Sequence, residues 1–243
     1  MHINILTIFP EVFDALNYGV IGKAKTNKSF SIKLQDIRDY PVNKHGQIDS
    51  KPYGGGEGMV MMAEPLKRSL ESIPKEKLGK IIYLSPQGAL FDNTKAKELS
   101  KEPSATFICG RYEGIDQRFI DKYVDEEISI GDFIISGGEI AALCIVDSVI
   151  RHIPGVLGNK DSSKNDSFSN GLLKGPQYSR PEVFEEIPVP EVLLSGDHKK
   201  IKEWKDLKSI EATIIRRPDL LNNVKLTKKQ RKLLEDLASQ SIL

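Results

Sequence analysis

Three glycine-rich turns, each directly after a short apolar run, fall within about fifty-five residues and constrain the fold of this chain more than any other feature. They are Ser85-Pro86-Gln87-Gly88 after the run 81–84, Gly110-Arg111-Tyr112-Glu113-Gly114 after 105–109, and the stretch 131–138 after Ser129 and Ile130. Glycine lets backbone approach a ligand closely and present unobstructed N–H and C=O groups. Three such turns at the ends of neighbouring strands point to a small-molecule pocket built mainly from main chain.

The surrounding pattern supports that geometry. Strand-like runs at 3–8, 31–37, 81–84, 105–109 and 126–130 alternate with helix-like stretches at 11–18, 65–72, 94–99, 115–123 and 139–153. Such alternation predicts an α/β fold with a mostly parallel sheet, whose ligands collect beyond the carboxyl ends of the strands. All three turns occupy that edge. A polar run at 160–170 reads as a flexible connector. Beyond it strand signals fade, and 191–195, 199–206, 210–216 and 227–239 read as helix or loop, with Pro218 as a stop and Thr227 as an N-cap. The predicted organisation is an α/β domain over 1–158, a connector over 159–170 and a small helical domain over 171–243.

Charge adds one asymmetry. The net charge is only +1, but between Asp197 and Lys232 twelve Lys or Arg stand against five Asp or Glu. That excess suits a phosphate-facing surface, and it equally suits a lysine-rich solvated face. Cys109 and Cys144 both sit in apolar surroundings and read as buried thiols of a reducing compartment. The amino terminus lacks the features of a secretory signal, and no apolar run is long enough to span a membrane, so the expected location is cytoplasmic with no membrane partner.

Several chemistries are excluded by their missing motifs. The junction Ile8-Phe9-Pro10-Glu11 carries no Gly-x-Gly-x-x-Gly, and the chain has no Gly-x-x-x-x-Gly-Lys-Ser/Thr string. His2, His45, His152 and His198 lie near no serine elbow and form no pair at metal-ligand spacing, so each reads as a surface or packing histidine. The run Gly54-Gly55-Gly56-Glu57-Gly58 looks superficially like a phosphate cradle but follows a loop and opens no obvious helix.

Further strings complete the pattern: Ser129-Ile130-Gly131-Asp132-Phe133 running to Ser136-Gly137-Gly138-Glu139, Asp166-Ser167-Phe168, and Gly175-Pro176-Gln177-Tyr178-Ser179-Arg180-Pro181. With them the chain closely resembles the bacterial tRNA (guanine-N1)-methyltransferases of the SPOUT superfamily. The resemblance runs nearly end to end, through Ile8-Phe9-Pro10, Gly54-Gly55-Gly56 with Gly58-Met59, Pro154-Gly155-Val156-Leu157-Gly158, Val192-Leu193-Leu194-Ser195-Gly196 and Arg216-Arg217-Pro218.

The resemblance implies a parallel sheet threaded into a deep trefoil knot, against the general avoidance of knots. It implies S-adenosyl-methionine bound in the knot. Its binding residues would be Leu84, Ser85, Pro86, Gln87 and Gly88 of the first turn, and Gly110, Tyr112, Glu113 and Gly114 of the second. Ile130, Gly131, Asp132, Phe133, Ile134, Ile135, Gly137 and Gly138 of the third would complete the set. It further implies methyl transfer to N1 of the guanosine just 3′ of the anticodon, in a homodimer whose site combines the knot of one subunit with the connector and small domain of the other.

Neutral guanine carries a proton on N1, so the transfer needs a general base. Asp166 matches the family's catalytic aspartate, although an Asx turn or N-cap would suit it equally on local sequence. Arg151 matches an arginine that stabilises charge developing on guanine O6, and it would also suit the carboxyl end of its helix. Glu113 is placed near the donor's charged end or is a solvated loop residue; Tyr112 packs beside the ligand or in the core. Arg180 and the basic helical region are candidates for tRNA backbone contacts. Where many relatives carry a histidine in the string Cys-Pro-His-Tyr-Thr-Arg-Pro, this chain has Gln177, which removes any proton transfer from that position. Magnesium dependence is implied by the family, yet no cluster of carboxylates stands out and no metal ligand is assigned. The alternatives are a ribose 2′-O-methyltransferase of the same superfamily and a non-catalytic RNA-binding scaffold.

Overall fold

The structure is a computed structural model that describes residues 1–157, 166–224, 226, 227, 230–232, 234 and 235. The described chain divides into two compact units, 1–160 and 161–243.

The first unit contains strands β1 (His2–Thr7), β2 (Ser31–Asp36), β3 (Asp49–Ser50), β4 (Val60–Met61), β5 (Lys80–Leu90), β6 (Ser104–Cys109) and β7 (Glu126–Ser129). Its helices are α1 (Gly19–Thr26), α2 (Ala63–Glu71), α3 (Lys75–Leu78), α4 (Asn93–Leu99), α5 (Gln117–Tyr123) and α6 (Gly138–Ile150). Five strands form one all-parallel sheet in the order β2-β1-β6-β5-β7. β3 and β4 pair antiparallel in a separate ribbon.

Both faces of the sheet are covered, which is why its strands read as near-continuous apolar runs. Successive side chains point to opposite faces. Ile3, Ile5, Ile82, Leu84, Ala105 and Phe107 pack with Ala142, Ile145, Val146 and Val149 of α6. Leu6, Ile81, Tyr83 and Ile108 pack on the other side with Leu66 and Leu70 of α2 and Phe119 of α5. Buried Asn4 is paired within this core: its amide donates to Thr106 Oγ1 at 3.0 Å and to the Lys77 carbonyl at 2.8 Å.

Several boundaries differ from those expected. The segment after β1 is a 3-10 helix, Pro10–Asn17, because Pro10 fixes its first turn, and α1 follows as an element of its own. α6 stops at Ile150, three residues short of 153. β5 continues to Leu90 through an interruption. Leu84 and Ala89 both pair with Ile128, so 85–88 leave the ladder and the strand resumes afterwards. Cys109 is buried, whereas Cys144 is exposed, because it shares the outer face of α6 with Ile140 and Asp147.

The second unit contains a two-stranded hairpin, β8 (Val183–Phe184) with β9 (Ile187–Pro188), then α7 (Glu191–Leu194) and α8 (His198–Arg216). The expected stretches 199–206 and 210–216 are one helix. Asp197 caps it by accepting from the Lys199 and Lys200 N–H groups at 3.0 and 3.1 Å. It ends two residues before Pro218, which opens a 3-10 turn, Pro218–Asn223. Leu172, Ile210 and Ile214 form the centre of this unit. Thr227 and Gln230 exchange the reciprocal bonds of a capping box, at 2.9 and 3.2 Å. Of the expected helix 227–239, residues 228, 229, 233 and 236–239 lie outside the described residues. So do Gly158 and connector residues 159–165.

Candidate active site

A cavity of about 380 Å³ opens at the carboxyl ends of β6 and β7 and at the interruption of β5, within the range of about 300–1,000 Å³ usual for small-molecule sites. Leu84, Ser85, Pro86 and Gln87 line it from the first turn, and Gly110, Tyr112, Glu113 and Gly114 from the second. The third turn adds Ile130, Gly131, Phe133, Ile134, Ile135, Gly137 and Gly138. Gly88 and Asp132 stand outside the lining. The backbone of Gly88 is pressed against β7, where a Cβ would lie 2.3 Å from the Glu127 carbonyl carbon; Asp132 is exposed.

Local sequence explains the close packing of these turns. A Cβ on Gly110 would meet the Tyr83 ring at 2.8 Å, and one on Gly138 would lie 2.7 Å from Cys109 Cα, so no side chain fits at either position. Tyr112 holds a left-handed backbone with φ of 60°, a conformation that costs a non-glycine residue about 1–2 kcal/mol. Its neighbours fix it: the Glu113 N–H donates to the Met59 carbonyl at 2.9 Å, and the Met61 N–H donates to the Gly114 carbonyl at 3.0 Å. Of the glycine run found in the sequence, only Gly58 reaches the cavity wall. Gly58, at φ of +80°, passes so close to Glu113 that a Cβ would stand 2.6 Å from its carboxylate.

A buried ion pair ties the second and third turns to the first strand. Glu139, in the first turn of α6, has no solvent exposure. One carboxylate oxygen accepts from the Thr7 hydroxyl at 2.8 Å, and the other accepts from Arg111 Nε at 2.9 Å. Arg111 also donates to the Ser136 carbonyl at 3.1 Å, and its guanidinium lies 4.5 Å from the centre of the Phe9 ring. A Cβ on Gly137 would collide with Arg111 at 2.2 Å, so the missing side chain is what admits the arginine.

Two further groups set the polarity inside. Burial, reinforced by the nearby Glu127 carboxylate, pushes the Tyr83 phenol up to about 12. Burial, then Glu139, raises the Cys109 thiol well above its ordinary range, which keeps it protonated and unreactive. Tyr83, Arg111 and Glu127 line the cavity and Glu139 anchors it, yet the sequence reading assigned none of them a role. The available signals were an acid inside a strand expected to be buried and an acid at the start of an otherwise apolar helix.

Arg151 is exposed at the C-cap of α6, its N–H directed at the Asp147 carbonyl. It is not part of the cavity lining. Asp166 belongs to the second unit. Its carbonyl accepts from the Ser169 N–H at 3.2 Å, opening a turn, and its half-buried carboxylate lies 3.8 Å from Lys174 Nζ. In the same unit Lys199, Lys200, Lys202 and Lys205 project as exposed cations from α8. The Gln177 amide donates to the Gly175 and Pro176 carbonyls. Among the described residues no group of three or more His, Cys, Asp or Glu could hold a metal ion. The described residues therefore offer no magnesium centre held by three or more protein ligands, and no step below passes through one. No helix among them is long and apolar enough to cross a membrane.

Comparison with known proteins gives concordant matches. The profile of the family described as "tRNA (Guanine-1)-methyltransferase TrmD" matches residues 1–223. A tRNA (guanine-N(1)-)-methyltransferase of Clostridium botulinum strain Loch Maree is 49% identical over 236 residues, covering 97% of this chain and 98% of the relative. Proteins of the same name from Clostridium novyi and Clostridium beijerinckii are 50% and 48% identical, each over 97% of this chain.

Proposed function

The chain belongs to the tRNA (guanine-1)-methyltransferase family, and we propose that it catalyses methyl transfer from S-adenosyl-methionine to N1 of the guanosine at tRNA position 37, 3′ of the anticodon. The observation that carries this reading is the convergence of three separated turns on one cavity, built from backbone and fitted with the carboxylates of Glu113 and Glu127. Amide and carbonyl groups suit a purine, and carboxylates suit a cationic ligand. The donor supplies an electrophilic methyl on a sulfonium.

The chain's own groups would do the rest. Glu113 faces the donor's charged end, held by its N–H bond to Met59 and by the close passage of Gly58. Asp166 takes the N1 proton as general base, freeing the lone pair for attack, a role worth about 10²–10⁴-fold. Arg151 donates to guanine O6 as negative charge gathers there, an interaction that strengthens in the transition state. The exposed lysines of α8, together with Arg180, position the tRNA backbone. Asp166 and the lysines stand in the unit 161–243 and the cavity in the unit 1–160, an arrangement in keeping with a homodimeric site shared between subunits. The exposed apolar side chains Leu90, Phe133, Ile134 and Ile140 are consistent with such a partner. The departure of 85–88 from the β5–β7 ladder is consistent with a deep trefoil knot. The domain roles follow: 1–158 binds the donor, 159–170 connects, and 171–243 binds tRNA in the cytoplasm.

Nucleoside mass spectrometry of tRNA incubated with the purified protein and labelled donor tests the reading. N1-methylguanosine is the expected product. Labelled 2′-O-methylnucleoside would select a ribose methyltransferase, and absence of any product a non-catalytic scaffold.

A further inference from the structure

Glu127 was given only its charge in the reading above and no specific contact, yet it lines the cavity with one carboxylate oxygen shielded from solvent and without a hydrogen-bond partner. It stands opposite Tyr83 in the parallel β5–β7 ladder, so both side chains emerge on the face that carries α5. There the lining continues through Gln117 and Ile120. No described neighbour donates to that oxygen. The Gln117 amide donates to Asp121 at 2.7 Å, and the single arginine of the lining, Arg111, donates to Glu139 and Ser136. Gly88 closes on the Glu127 backbone from the first turn and holds it in place.

An acceptor of this kind beside an open cavity is costly until a donor arrives. We propose that Glu127 accepts a nitrogen-bound hydrogen of the adenosyl ligand, either the purine's exocyclic amine or the ammonium of the amino-acid end, and thereby selects which adenosyl compounds the cavity holds. The inference rests on the reading of the cavity as the donor site. Glu127 is a binding residue in this account, separate from the proton transfer assigned to Asp166.

Calorimetric titration of S-adenosyl-homocysteine and of 5′-methylthioadenosine, which lacks the amino-acid end, tests it in wild type, Glu127→Gln and Glu127→Ala. Glutamine keeps the shape and removes the charge; near-ultraviolet circular dichroism and melting temperature establish that each variant is folded. The expected result is a loss of roughly tenfold or more in affinity for S-adenosyl-homocysteine in Glu127→Gln, with the wild-type fold retained. A parallel loss for methylthioadenosine assigns the acceptor to the purine amine, and an unchanged methylthioadenosine affinity assigns it to the ammonium. Folded variants that bind both ligands like wild type overturn the inference while leaving the donor site intact. Wild-type protein that binds neither ligand overturns the donor site itself, and the inference with it.

Discussion

Replacing Glu139 by alanine removes the one group that joins Thr7, Arg111 and the start of α6. The carboxylate is fully buried, while the Arg111 side chain keeps 21% of its surface in water. Deleting one partner of a buried pair costs about 3–5 kcal/mol, because the other charge is left without compensation. Partial hydration of the stranded guanidinium places this case near the lower bound, at about 3 kcal/mol. With a urea dependence of about 2–3 kcal/mol per molar, the unfolding midpoint should fall by roughly 1 M. Circular dichroism in a urea series measures it, and donor affinity should fall in parallel as the second and third turns lose their tie. A double substitution, Arg111→Met with Glu139→Leu, strands no charge and should cost less than Glu139→Ala alone. A Glu139→Ala cost below about 1 kcal/mol, or costs of the two sites that simply add, would show that the pair does not brace the cavity.

Tyr83 should stay neutral until about pH 12 in the folded protein, against 10.0 for a free phenol, because of its burial and the Glu127 charge. The folded state then holds that proton more tightly, so this stabilisation, about 3 kcal/mol, is complete below pH 10 and declines as pH rises toward 12; ultraviolet titration of tyrosinate in wild type and Tyr83→Phe checks it. Asp166→Asn should abolish methyl transfer with donor affinity unchanged within about twofold, since the amide cannot take the N1 proton; normal turnover by this variant removes Asp166 from the mechanism. Gly138→Ala forces a Cβ to 2.7 Å from the Cys109 backbone and should destabilise by about 1–3 kcal/mol while weakening donor binding. Asp197→Ala strips the cap from α8 and should cost about 1 kcal/mol, read from urea unfolding.

The sheet and the cavity edge were legible in the sequence for a physical reason. Strands buried on both faces leave unbroken apolar runs, and turns that must pass close to other backbone leave glycines, as at Gly110 and Gly138. The supports of those turns were not legible, because they depend on pairings between distant residues. Nothing local in Thr7, Arg111 and Glu139 announces that they meet, the first and the last lying 132 positions apart. The exposure of Cys144 was missed for a related reason, since α6 is apolar almost all round and periodicity alone does not tell which stripe faces the sheet. In the second unit the lysines obscured a continuous helix, because their aliphatic stems and outward charges interrupt the apolar stripe of Ile210 and Ile214 without breaking helical geometry.

A crystal structure of the protein soaked with S-adenosyl-homocysteine decides whether the three turns hold the donor. The expected position of the ligand is between the turns 84–88, 110–114 and 130–138, in contact with their backbone. Density for the ligand elsewhere, or a cavity empty at saturating ligand, would contradict it.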